Sequence, residues 1–463
     1  MTRILKYLFS FSAIIALVSC TSNDKDMATY FGGKIINPKS EFVLLYHQDK
    51  LIDSLQLDKH DKFIGKYDDF KEGFYTFKHG PEHQYVYIEP QDSILIRLNT
   101  WGVFDESLVF SGKGAEKNNL LIDYYLEGEK EYKNHELYSY YSLAPKDFKF
   151  KLDSLLHLRK LKIESFVSKN DNLPEFYLNI LDIVAKYPLY SRFEKYPSYN
   201  KHLTKSTSFP ETDSTFYSYR KSIDVNNDSL MYLGTYSNYI INSLYNKVHR
   251  KGLSNQSSDF TVTLLKTVDE NILDENVKNT FLREMLVKDF LNKSSCAINK
   301  KAFHTYFKLS SNINDKKQVQ RLLNDVKNLH GGNELPKFYV NDYNNNKQSI
   351  HKLVKKKNSV IYIWNPRYVE ENFLASRIKF LTEKFPKLTF IGVKINEFEV
   401  NKPIAGIDIK KQFYIKKESK ANQFLSSEIP RTLLINKKGI VINGYATINN
   451  NNVLKQLKYL QKQ

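Results

Sequence analysis

The chain has 463 residues, enough for roughly three domains of about 150 residues each. Hydrophobic residues make up 41%, charged residues 26% and aromatics 14%, with 32 Tyr and 30 Phe, which is too many large buriable side chains for a disordered chain. The net charge of +18 comes from lysines scattered among acids, without a nucleic-acid-binding signature, and two cysteines exclude a disulfide framework and a cysteine-based zinc site. No nucleic acid, cofactor or metal is expected. His79 and His83 stand four apart, but Gly80-Pro81 between them breaks the helix that would align them as ligands.

At the N-terminus, Arg3 and Lys6 precede an uncharged apolar stretch from Tyr7 to Val18. This is a signal-peptide pattern, too short for a comfortable membrane span. Leu17-Val18-Ser19-Cys20 resembles a bacterial lipobox. That resemblance implies cleavage before Cys20, acylation of Cys20 and a membrane partner through the lipid. Residues 1–19 are then the signal peptide and 20–30 a lipidated tether. By analogy with enterobacterial lipoproteins, Thr21 favours the outer membrane over the inner. The periplasmic and surface faces both stay open.

Residues 31–114 read as a β-sandwich-like domain. Glu41 to Tyr46, Gly73 to Phe77, Tyr85 to Ile88 and Ser93 to Leu98 are short β-rich runs separated by turn residues. Ser111-Gly112-Lys113-Gly114 lacks the spacing and Lys-Ser/Thr ending of a phosphate loop. Residues 115–332 read as an α-helical region, with apolar residues at helical spacing from Leu152 to Phe166, Leu178 to Val184 and Phe281 to Leu291. Pro174, Pro188, Pro197 and Pro210 are expected to punctuate it. Its aromatics read as core, and its lone Cys296 as a small hydrophobe.

Residues 333–463 turn α/β. Ser359 to Trp364 is a near-continuous apolar run, as in a strand covered on both faces. A helix follows, with Phe373, Leu374, Ile378, Leu381 and Phe385 on one face. Leu388 to Val393 is a second strand. Arg431 to Ile435, the turn at Lys438-Gly439, and Ile440 to Ile442 form a hairpin, and Val453 to Leu460 a closing helix.

This order resembles the thioredoxin-like domains of TlpA/ResA-type envelope thiol–disulfide oxidoreductases. Val360-Ile361-Tyr362-Ile363-Trp364 is similar to the family strand that runs into a Trp-Cys-x-x-Cys loop. Ile429-Pro430-Arg431-Thr432 is similar to the family's cis-proline segment, with Pro430 as the proline. Ser111 to Asn119 is similar to Bacteroidota lipoproteins that end in such a domain. With Trp364 as the first tryptophan of the family motif, the cysteine positions fall on Tyr368 and Glu371. The alternative alignment places them on Asn365 and Tyr368. Neither supplies a thiol. The resemblance therefore implies a thioredoxin fold with a degenerate redox loop and no catalytic residue. The leading expectation is a non-catalytic protein that binds a peptide or protein partner in the envelope. An atypical redox role and a surface accessory role in glycan or nutrient uptake stay open.

Overall fold

Short β-rich segments that turn apolar residues to one side build the first part of the chain. A computed structural model describes residues 27–47, 50–80, 82–101, 104–133, 135–255, 257–292, 298–366, 369, 371–395, 402–425, 430–448 and 451–463. These residues group into two compact units, one ending at Glu131 and one beginning at Tyr132. The regions expected over 115–332 and 333–463 thus lie mostly in one unit.

In the first unit, β1 (Thr29–Ile36), β4 (Lys62–Tyr67), β7 (Ser93–Asn99) and β8 (Val109–Ser111) form one sheet in the order β4-β1-β7-β8. Strands β2 (Phe42–His47), β3 (Lys50–Gln56), β5 (Gly73–His79) and β6 (Glu82–Ile88) form another, ordered β3-β2-β5-β6. Inward residues of both sheets, among them Phe31, Val43, Phe77, Val86 and Ile96, share one core. Helix α1 (Ala115–Lys133) adds Ala115 and Ile122 to it.

The Ser111 to Asn119 segment is the joint between sheets and helix. Gly112 turns with φ of +88°, where a Cβ would strike the Ser93 carbonyl oxygen at 1.9 Å, so only glycine fits. Asn118 pairs with both backbone groups of Tyr87 on β6, and Asn119 with both of Phe110 on β8. Each of those strands is an edge of its sheet. Two adjacent helical amides therefore cap edges that would otherwise leave backbone groups open.

His79, at the end of β5, is buried. Its Nε2 accepts from the Lys39 N–H at 2.9 Å, and its Nδ1 faces the Phe42 carbonyl at 3.1 Å, which assigns the proton to Nδ1. Both ring nitrogens are engaged by backbone, so His79 does not pair with His83 around a metal. Burial lowers its pKa, and the Lys39 charge adds to this against the Phe42 carbonyl. The unfolded ring binds protons below about pH 6.5, where the folded ring still resists them. Stability is therefore expected to fall as pH drops from about 6.5 toward the lowered folded value. His249, whose pKa burial also lowers, acts in the same direction. Thermal denaturation against pH checks this: His79→Gln should flatten the dependence, and a wild-type midpoint unchanged over this range would contradict it.

The second unit begins with helices. They are α2 (Pro145–Val167), α3 (Glu175–Leu203), α4 (Gly234–His249), α5 (Ser258–Asn271), α6 (Glu275–Asn292), α7 (Lys300–Leu309) and α8 (Ile313–Asn328). Pro174 stands at the N-cap of α3, but Pro188 and Pro197 lie inside that helix rather than ending it. Each removes one helical hydrogen bond, and burial of Ile180, Leu189, Phe193 and Tyr196 offsets the loss. Phe148, Phe193, Tyr196 and Phe216 stack in one aromatic core, with Phe148 and Tyr196 centroids 4.2 Å apart.

The rest of this unit is a seven-stranded sheet. It comprises β9 (Tyr339–Asn341), β10 (Lys347–Ser349), β11 (Ser359–Trp364), β12 (Thr389–Ile395), β13 (Gln412–Ile415), β14 (Arg431–Ile435) and β15 (Val441–Ala446), ordered β10-β9-β13-β12-β11-β14-β15. β11 runs parallel to β12 and antiparallel to β14, and β14 pairs antiparallel with β15. Helix α9 (Glu371–Lys384) links β11 to β12, and α10 (Asn451–Leu460) follows β15. Val360, Tyr362 and Trp364 pack under α9 and α10, while Ile361 and Ile363 enter the core on the opposite face. A parallel βαβ unit, an antiparallel hairpin and a closing helix on the same face as α9 make a thioredoxin-like fold.

Candidate functional site

The site that this fold would use lies where β11 hands over to α9. β11 is central, buried on both faces, and ends at Trp364. Asn365 follows, buried, with its Nδ2 donating to the Ile395 carbonyl at 3.2 Å. Its own carbonyl accepts from the Val369 N–H at 3.1 Å. Glu371 opens α9, where the helix dipole favours a carboxylate. Tyr368 lies outside the described residues, as do Cys20 and Cys296. Of the loop positions singled out in the sequence, Trp364, Asn365 and Glu371 are thus placed at one end of the sheet.

A residue the sequence reading passed over organises this end. Lys394 is the register partner of Trp364 on β12, and its side chain is only 6% exposed. The Lys394 ammonium stands 5.1 Å from the centroid of the Trp364 ring and 4.0 Å from the Glu371 carboxylate. A desolvated cation over an indole gains on the order of 2 kcal/mol, and the carboxylate supplies opposite charge. Its signal in the sequence is a lysine in a strand whose other residues from Phe390 to Ile395 are glycine or apolar.

Tyrosines surround this group. The Tyr362 ring lies opposite Gly392, where a Cβ would meet its hydroxyl at 2.6 Å, so the glycine makes room for it. Burial pushes the Tyr362 hydroxyl far up, and its oxygen has no hydrogen-bond partner among the described residues. Burial, then the Glu371 charge and Tyr414, push Tyr343 up to about 12. These phenols stay protonated at neutral pH, so they act as neutral hydrogen-bonding groups rather than bases.

Pro430 is half-buried directly before β14. Ile429 lies outside the described residues, and the geometry of the Ile429–Pro430 bond with it. The next residue, Arg431, turns inward. Its guanidinium donates to Asp325 of α8 at 3.0 Å and to the Phe424 carbonyl at 2.9 Å, and stands 4.7 Å over the Tyr445 ring. The Tyr445 hydroxyl donates in turn to the Leu322 carbonyl of α8 at 3.4 Å. The segment at Pro430 is thereby fastened to the helical region.

Chemically, the described residues offer a buried ammonium paired with a carboxylate, protonated phenols and an indole. They offer no thiol. Among the described residues, no cluster of three or more His, Cys, Asp or Glu could hold a metal ion.

No family model matches the chain, and no curated protein matches it. Solved structures do match. The chain is similar to a thioredoxin-like protein from Bacteroides caccae, at 14% identity over 52% of this chain and 89% of that one, with a TM-score of 0.30. It is similar to the thioredoxin domain of a thiol-disulfide oxidoreductase from Bacteroides vulgatus, at 19% identity over 28% and 99%, with a TM-score of 0.21. It is also similar to a thiol:disulfide interchange protein from a Bacteroides species, at 16% identity over 28% and 92%, with a TM-score of 0.20. The thioredoxin-like fold itself stands on the strand order and directions described above.

Proposed function

We propose that this chain is a lipid-anchored cell-envelope protein whose thioredoxin-like domain binds or scaffolds an envelope protein or peptide without exchanging disulfides. One observation carries the reading: the sequence from Trp364 to Glu371, between β11 and α9, contains no sulfur. Exchange needs a thiolate to attack a disulfide sulfur and a second thiol to release the mixed disulfide. Cys20 is assigned to the lipid anchor, and Cys296 has no second thiol to resolve a product. The Lys394–Glu371 pair beside Trp364 supports the same reading, because it holds α9 against β12 with charge and packing alone.

Insulin reduction with dithiothreitol tests this beside a thioredoxin control and a Cys296→Ser variant. The chain should stay at the background rate in both forms. Robust wild-type turnover that disappears in Cys296→Ser would overturn the proposal. Fatty-acid labelling of wild type and Cys20→Ala reports the anchor separately.

A further inference from the structure

The outward face of the β4-β1-β7-β8 sheet carries an arrangement that folding alone does not favour. Pairing registers set Lys62 of β4 opposite Lys34 of β1, and Lys34 opposite Arg97 of β7. Three exposed cations therefore stand side by side on neighbouring strands, with β-carbons about 5 Å apart. Like charges directly opposite one another destabilise a sheet. Among the described residues, none of the three side chains forms an ion pair or a hydrogen bond. Asp58, in the turn before β4, accepts chiefly from the backbone of Lys62 and His60, and the Lys62 charge acts on it as the least of the effects that lower its pKa. No Asp or Glu occupies any outward position of these four strands.

The rest of the face is aliphatic. Ile64 and Leu95 flank Gly32 in the next cross-strand row, and Val109 ends the cation row beside Arg97. Ile64 is 59% exposed and Val109 54%. Just past the end of β7, four residues from Arg97, Trp101 is 85% exposed. Cations for phosphates, aliphatic side chains for the acyl boundary and an exposed indole are the three components of a membrane-surface contact.

We propose that this sheet face, with Lys34, Lys62, Arg97 and Trp101, seats on an anionic lipid surface. A soluble polyanion would answer the cations and leave Ile64, Leu95 and Val109 in water. A second copy would set cation row against cation row. A sugar would stack on open aromatic rings, but Tyr30 has the Lys66 ammonium over it at 5.6 Å, which leaves Trp101 alone, and a sugar would also leave the aliphatic row in water. The face acts through its own charge and shape, so the proposal does not rest on acylation of Cys20.

Trp101 provides the readout, because Trp364, the other of two tryptophans, is buried. The full-length chain is titrated with vesicles of phosphatidylcholine, alone or mixed with phosphatidylglycerol, and tryptophan emission is followed. The ratio of anionic to neutral binding isolates the face from any apolar contribution of residues 7–18. Emission should shift to the blue on the anionic vesicles, and the effect should fade with salt. Lys34→Gln/Lys62→Gln/Arg97→Gln should lower the ratio roughly a hundredfold, at about a factor of five per cation. Its melting midpoint should hold or rise, since repulsion is removed. If that variant does not fold, Lys34→Gln alone should lower the ratio severalfold. An unchanged ratio in a folded variant overturns the proposal. So does displacement by inorganic phosphate at constant ionic strength, tighter binding to a sulfated polysaccharide than to anionic vesicles, or self-association lost in Ile64→Ser without a vesicle response.

Discussion

Asp325→Ala is expected to destabilise the second unit by about 3–5 kcal/mol. Asp325 lies in the last turn of α8, where the helix dipole disfavours a carboxylate, and the Arg431 guanidinium offsets this from 3.0 Å. Both side chains are buried. Deleting the carboxylate takes an anionic partner from the buried Arg431 guanidinium, whose contacts to the Phe424 carbonyl and the Tyr445 ring carry no full negative charge. The loss should be read in denaturant midpoints and in near-ultraviolet dichroism, because Tyr445 packs beside Arg431. The double variant Asp325→Leu/Arg431→Met should recover most of the loss, since two apolar side chains remove the charge with its partner. A single variant within about 0.5 kcal/mol of wild type would show that the pair does not fasten α8 to the sheet.

How much of this was readable from sequence follows from where each signal is stored. β11 was legible because burial on both faces writes itself as an unbroken apolar run. β2, β5, β6 and β7 were legible through β-rich runs bounded by turns. β1 and β4 were not, because Gly32-Gly33 interrupts one, and Gly65 with Lys62 and Lys66 breaks up the few β-favouring residues of the other. Those lysines lie on the sheet face that faces away from the core. Pro188 and Pro197 read as helix ends because propensity is local, whereas the packing that carries α3 through them is not.

The site divides in the same way. Trp364 and Glu371 were found because they lie in one short segment beside a recognisable strand. Lys394 and Arg431 were missed as site residues because their meaning depends on partners far along the chain. Glu371 is 23 residues from Lys394, and Asp325 is 106 residues from Arg431. A lysine in an apolar strand marks a buried cation, but its role follows only from its counter-ion, and no periodicity or turn rule supplies that.

Glu194→Ala should cost about 2–4 kcal/mol and open the chain between α3 and α4. The Glu194 side chain is fully buried on α3 and accepts from four donors. Tyr219 donates to Oε1 at 2.9 Å, Arg220 to Oε1 at 2.8 Å and also to Oε2, and Asn246 of α4 to Oε2 at 2.7 Å. Two of those residues, Tyr219 and Arg220, lie in the connection between the helices, so one carboxylate ties that connection to both. The Arg220 guanidinium also stacks on the Tyr217 ring at 3.8 Å, and the Tyr219 ring lies parallel to Tyr190 at 4.4 Å. Without the carboxylate, Tyr219 and Asn246 lose their charged acceptor and keep the longer contacts to the Tyr190 carbonyl at 3.4 Å and the Tyr217 hydroxyl at 3.2 Å, while Arg220, partly exposed, regains some water. That partial relief sets the figure below the cost expected for Asp325. Glu194→Gln should also destabilise, because its amide would turn two N–H groups toward Arg220 and Asn246, which are themselves donors. Tyr219→Phe removes a single hydrogen bond to a charged acceptor and should cost about 1.5–3 kcal/mol. Limited proteolysis gives the positional readout: Glu194→Ala should be cut first between Thr204 and Leu233. Glu194→Ala/Arg220→Ala should cost less than the two single losses added, because the residues share one interaction. Additive losses, or first cleavage elsewhere in the unit, would show that the connection is held by its aromatic stacking rather than by Glu194.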